Sequence, residues 1–202
     1  MQTISTARRS REILAACVAI AVLVACGGTD ETLDTAVATG QLPTPSTAST
    51  DLSGLSDANM FSVLALINGS EIRAAQLAEQ RATNLQIKEF ATDMIREHRS
   101  LQESVDSVAL MLNVTPQSPP VADSMQARMQ ALRDSVSTIA STEFDRAYMQ
   151  SQVQAHEQAL EALRQLTTAA DAAPLRATID RAIEAVETHL TRARSITPAA
   201  AG

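Results

Sequence analysis

A 202-residue chain with a net charge of −7 and a single lysine, Lys88, lacks the basic surface that nucleic acid requires. With no Trp, one Tyr and three Phe it also lacks an aromatic platform on which bases could stack. The 45% hydrophobic content is enough for one core but, over this length, not for two large ones.

The first element in chain order is a leader. Arg8, Arg9 and Arg11 precede an apolar run from Ile13 to Val24, and Leu23-Val24-Ala25-Cys26 closes it. A basic start followed by a short apolar stretch is the form of an export signal, and the run is shorter than the roughly 20 residues a membrane-spanning helix needs. The small residues placed directly before a cysteine resemble the lipobox of bacterial lipoproteins. That resemblance implies that residues 1–25 are a signal peptide cleaved before Cys26. Cys26 would then carry lipid and anchor the chain to the membrane. Gly27 rather than Asp at the next position implies the outer membrane, with the protein facing the periplasm. Cys17 leaves with the signal, so the remaining chain has no free thiol for disulfides, metal ligation or nucleophilic attack.

Residues 26–56 hold Gly27-Gly28, Pro43, Pro45 and Gly54, many Ser and Thr, and no Lys or Arg. They are expected to be a disordered tether of roughly 30 Å end to end. From Asp57 the good helix formers Ala, Leu, Gln, Glu, Arg and Met dominate. A first helix is expected from about Asp57 to Arg81. A second starts at a capping-box pattern, Thr83 to Gln86, and runs to about Leu112, where Asn113 and Pro116 end it. Ser118 offers a cap and Pro119 a first helical position for a shorter helix to about Val136. The Ser- and β-branched-rich stretch 135–139 predicts a break. A third long helix follows from about Thr142 to Ala169. Asp171 is expected to cap a fourth, with Pro174 in its first turn, and Pro198 stops it. The expected fold is therefore all-α: an antiparallel four-helix bundle over 57–197, with an extra short helix between helices two and three and a tail at 198–202.

Polar residues stand where the core should be. His98 interrupts the stripe of Ala91, Met94, Leu101 and Val105. His156 lies in the stripe of Met149, Val153, Leu160 and Leu163. His189 lies between Val186 and Ala193, and Glu71 between Ile67 and Ala74. All three histidines of the chain thus face inward at helical spacing. Counting back from the turns puts Glu71 level with His98, and His189 about 6 Å off level with His156. Two readings follow. In one, the imidazoles are neutral and hydrogen-bonded in the core, with Tyr148, Asp145, Gln152 and Glu71 as available partners. In the other, Glu71, His98, His156 and His189 hold a transition metal, for which Fe, Zn, Cu and Mn fit equally by ligand type. The four-carboxylate, two-histidine set of di-iron bundles is missing. Asp145 lies too far along its helix to share an ion with His156, and is expected to serve its own helix start. Val121, Met125, Met129 and Leu132 line one side of the short helix and would, if exposed, form a strip for a protein partner. No Gly-rich phosphate loop, nucleophile elbow or thiol–histidine pair is present.

Phe90-Ala91-x-x-Met94-Ile95-x-Glu97-His98, Phe144-Asp145-Arg146-Ala147-Tyr148-Met149 followed by His156, and Thr188-His189-Leu190 together resemble domain of unknown function family 4142. The resemblance spans about residues 58–196. It implies a ferritin-like four-helix bundle of the bacterial envelope, of a kind labelled outer-membrane protein, with no established activity. The family usually has Asp where this chain has Glu97. It often has Leu-Pro where this chain has Ala185-Val186, which implies a straighter last helix here. The expected role is a lipid-anchored, non-enzymatic envelope protein that engages an envelope partner, with a ferritin-like metal-binding bundle of redox or storage function as the alternative.

Overall fold

The computed structural model describes residues 51–196. The expected signal peptide, Cys26, the tether as far as residue 50 and the tail at 198–202 lie outside the described residues. Among those described there are five helices and no strand: α1 (Asp57–Arg81), α2 (Leu85–Met111), α3 (Pro120–Thr138), α4 (Ser141–Ala169) and α5 (Ala173–Ser195). The chain is an all-α helical bundle, and none of these helices is long and apolar enough to cross a membrane.

The helix ends follow local chemistry, but not always at the residues the sequence suggested. Ser56 caps α1 in a reciprocal capping box with Asn59. For α2 the cap is Asn84, whose side chain accepts from the Gln86 amide, rather than Thr83. Thr83 is instead bound to Asp145. Its amide and hydroxyl, together with the Asn84 amide, donate to that carboxylate at 2.7–3.2 Å. Asp145 therefore anchors the α1–α2 turn to α4 and does not serve its own helix start. Asn113 ends α2 at φ 54, and the Val114 amide reaches back to the Ala109 carbonyl at 2.9 Å. Pro119, not Ser118, is the residue before α3, and Pro120 opens it. Ile139 and Ala140 form the expected break before α4. Asp171 does not cap α5: its amide and that of Ala172 both donate, at 3.0 Å, to the carboxylate of Asp57, over a hundred residues earlier. An acid at a helix start is favoured whichever part of the chain supplies it.

The contacts give the helix directions. Thr92–Glu79 and Asn68–Gln102 run α1 against α2. Thr167–Asp180 and Arg194–Glu157 run α4 against α5. Asp93–Arg192 and Glu97–His189 join α2 to α5. The helix α3 starts beside Ala58, where Gln117 bonds its carbonyl, and ends beside Arg81, whose guanidinium holds the Ser137 and Ile139 carbonyls. It thereby carries the chain from one end of the bundle to the other. On α3, Met125 is buried, and the half-buried Val121 and Met129 pack against the core, so this part of the apolar strip lies on the bundle.

The apolar core has two parts. One gathers Leu52, Phe61, Ile67, Val105, Leu163, Leu166 and Ile179. Leu52, 1% exposed, brings the chain into the core five residues before α1. The other gathers Ala78, Ile87, Phe90, Phe144, Tyr148 and Met149. Between the two, at mid-height, α1 contributes Asn68 and Glu71, α2 His98, α4 Gln152 and His156, and α5 His189, all of them buried.

Candidate metal centre

The three histidines come from three helices and meet. Their ring centroids lie 5.2 Å (His98–His189), 5.5 Å (His156–His189) and 6.1 Å (His98–His156) apart. One ring nitrogen from each lies within 4.8 Å of one from each of the others. The offset along the axis that counting residues suggests does not keep the His189 and His156 rings apart. Side chains lean toward the N-terminus of their helix, so His156 on α4 leans away from the α4–α5 turn and His189 on α5 leans toward it. Lean in these directions acts to reduce that offset.

Each ring uses one nitrogen on a protein oxygen. His98 Nδ1 is 3.0 Å from Asn68 Oδ1, His156 Nδ1 is 2.9 Å from the Gln152 carbonyl, and His189 Nε2 is 2.6 Å from Glu97 Oε2. A carbonyl or carboxylate can only accept, so these nitrogens carry the protons. The opposite nitrogens, Nε2 of His98, Nε2 of His156 and Nδ1 of His189, are buried with no partner. The side chains expected to bond the histidines do not: Asp145 holds Thr83, and Gln152 serves His156 only through its backbone.

Electrostatics keeps the rings neutral. Burial pushes His98 well below its ordinary value, helped by the neighbouring His189 and His156. Burial takes His156 down to about 4, against the opposing hydrogen bond to Gln152. Burial also lowers His189, although Glu97 pulls the other way. Three neutral imidazoles, each with a fixed tautomer and a free lone pair, are the form in which histidine binds transition metals.

Glu71 is buried in the same layer but is not one of the residues whose ligand atoms converge. It accepts a hydrogen bond from the Gln152 side chain. Burial raises its carboxyl to about 7, against the opposing pull of His189 and Gln152. One Glu71 oxygen, Gln152 Oε1 and the Tyr148 hydroxyl also lack partners. Among the described residues, every buried side-chain polar atom without a partner belongs to the three histidines, Glu71, Gln152 or Tyr148. An unpaired buried polar atom costs about 1–3 kcal/mol, which makes this layer the candidate site.

Sequence reasoning missed Asn68 and Glu97 as partners of the rings. Asn68 carried a signal, being a polar residue beside Ile67 on the inward face of α1. Glu97, with a side chain 40% exposed, looks like any solvated acid until α5 is placed beside it.

No curated protein and no solved structure matches the chain. A family model described as Domain of unknown function (DUF4142) matches residues 41–196, a range that holds all three histidines and their partners, and the chain belongs to that family.

Proposed function

We propose that this protein is a lipid-anchored helical bundle of the bacterial envelope whose core holds one transition-metal ion on His98, His156 and His189. The observation that carries the metal reading is the pairing of two facts: each imidazole is oriented by one hydrogen bond and keeps its other nitrogen buried without a partner, and one nitrogen of each ring lies within 4.8 Å of one from each of the others. Neutral imidazole suits zinc, copper and iron. Three protein ligands leave a coordination position for solvent or a small ligand, the arrangement of reactive rather than purely structural sites. The envelope location is supported by the basic, apolar and Leu23-Val24-Ala25-Cys26 segments in sequence.

Elemental analysis of the full-length chain, extracted in detergent and purified without a histidine tag, tests the metal. One ion per chain, lost in the His98→Ala/His156→Ala variant with helicity retained, is the expected result. A chain that takes up no Zn, Cu, Fe or Mn, and whose variant merely melts earlier, would make the histidines hydrogen-bonding core residues and end the proposal. Incorporation of labelled fatty acid, abolished by Cys26→Ala, tests the anchor; wild-type chain that takes up no label would refute it.

A further inference from the structure

Resting on that metal reading, we infer that Glu97 is the positioning residue of the centre: it holds His189 and supplies negative charge to a site of neutral ligands. The three rings differ in what accepts their N–H. For His98 it is the Asn68 amide oxygen and for His156 a backbone carbonyl, both neutral. For His189 it is a carboxylate, at the shortest of the three distances, 2.6 Å. A divalent ion among three neutral imidazoles brings charge into an apolar core, which is costly without compensation. A carboxylate on the far N–H fixes the ring and makes it a stronger donor. It does so without occupying a coordination position.

The carboxylate is itself held. Its other oxygen takes Arg96 at 2.8 Å. Arg96 also binds Asp93, one turn before Glu97, and Asp93 binds Arg192, one turn beyond His189, at 2.6 Å. This chain of ion pairs ties α2 to α5 one turn away from the Glu97–His189 contact. Surface ion pairs of this kind add little to stability by themselves. Their effect here is geometric, since they restrict where the Glu97 carboxylate can sit. One turn of α2 thus supplies a ligand, His98, and the residue that positions another.

Competition titration of the metal-free full-length chain with Zn²⁺, and the visible spectrum of the Co²⁺ form, test this. Glu97→Gln keeps size and a hydrogen-bond acceptor but removes the charge. It should bind Zn²⁺ roughly 10–100-fold more weakly and shift the Co²⁺ bands, while the melting temperature of the metal-free form stays close to wild type. Glu97→Asp, which keeps the charge, should recover most of the affinity. Wild-type affinity in Glu97→Gln, or no recovery in Glu97→Asp, overturns the role given to Glu97 and leaves the metal reading intact. A wild-type chain that binds neither ion removes both.

Discussion

Glu71 offers the sharpest energetic test of the polar layer. Its carboxyl, ordinarily near 4.5, is raised to about 7 by burial. A raised acid contributes stability below its unfolded value and loses it as pH rises through the folded one. At about 1.4 kcal/mol per tenfold change in acidity, ionising Glu71 in the folded metal-free chain costs about 3 kcal/mol at about pH 8, and less than about 1 kcal/mol at about pH 5. Glu71→Gln removes that cost. Its amide can also donate to Gln152 Oε1, which has no partner in the wild type. Urea denaturation of the chelator-treated proteins should therefore show the variant more stable by about 3 kcal/mol at about pH 8, with a gain that shrinks severalfold at about pH 5. Equal differences at the two pH values, or a variant less stable at both, would refute the assignment of a buried ionisable carboxyl at this position.

In that same Glu71→Gln background the histidines become readable. His156 is lowered to about 4 from 6.5, so its contribution is present above the unfolded value and is lost as pH falls toward the folded one. Between about pH 7 and pH 5 the metal-free chain should lose about 2 kcal/mol through His156 alone, with His98 and His189 adding in the same direction. A flat denaturation profile across that range would contradict neutral, buried rings. Asp145→Ala removes the acceptor for the Thr83 amide and hydroxyl and the Asn84 amide. It should cost about 2–4 kcal/mol, since hydrogen bonds to a charged partner are worth more than neutral ones; an unchanged melting temperature would show that the turn holds without it. Asp57→Ala should cost about 1 kcal/mol as the acceptor for the Asp171 and Ala172 amides at the start of α5 is lost, whereas Asp171→Ala should be close to neutral. The reverse order in thermal melts would restore Asp171 as the cap.

Much of the fold was legible because helix signals are local. Asp57 at the start of α1, Asn113 at the end of α2 and the weak stretch before α4 are set by propensity and by neighbours within a few positions. Two of the caps that were misplaced have distant partners. Thr83 is taken by Asp145, and the start of α5 by Asp57; no windowed pattern contains pairs so far apart. The inward histidines were legible as well, because a polar residue on an apolar stripe stands out at a 3.6-residue period.

What the sequence by itself determined is which residues must be buried: periodicity is a property of one helix, and it put His98, His156, His189 and Glu71 inside. Only the tertiary structure decided which of these meet. The packing of the helices brought the three ring centroids within 6.1 Å of one another and left Glu71 on Gln152. The crossing of α2 with α5 turned an ordinary surface acid, Glu97, into the partner of a buried imidazole. Contacts between helices depend on the rotation and height of each against its neighbour, and a single helix's pattern fixes neither.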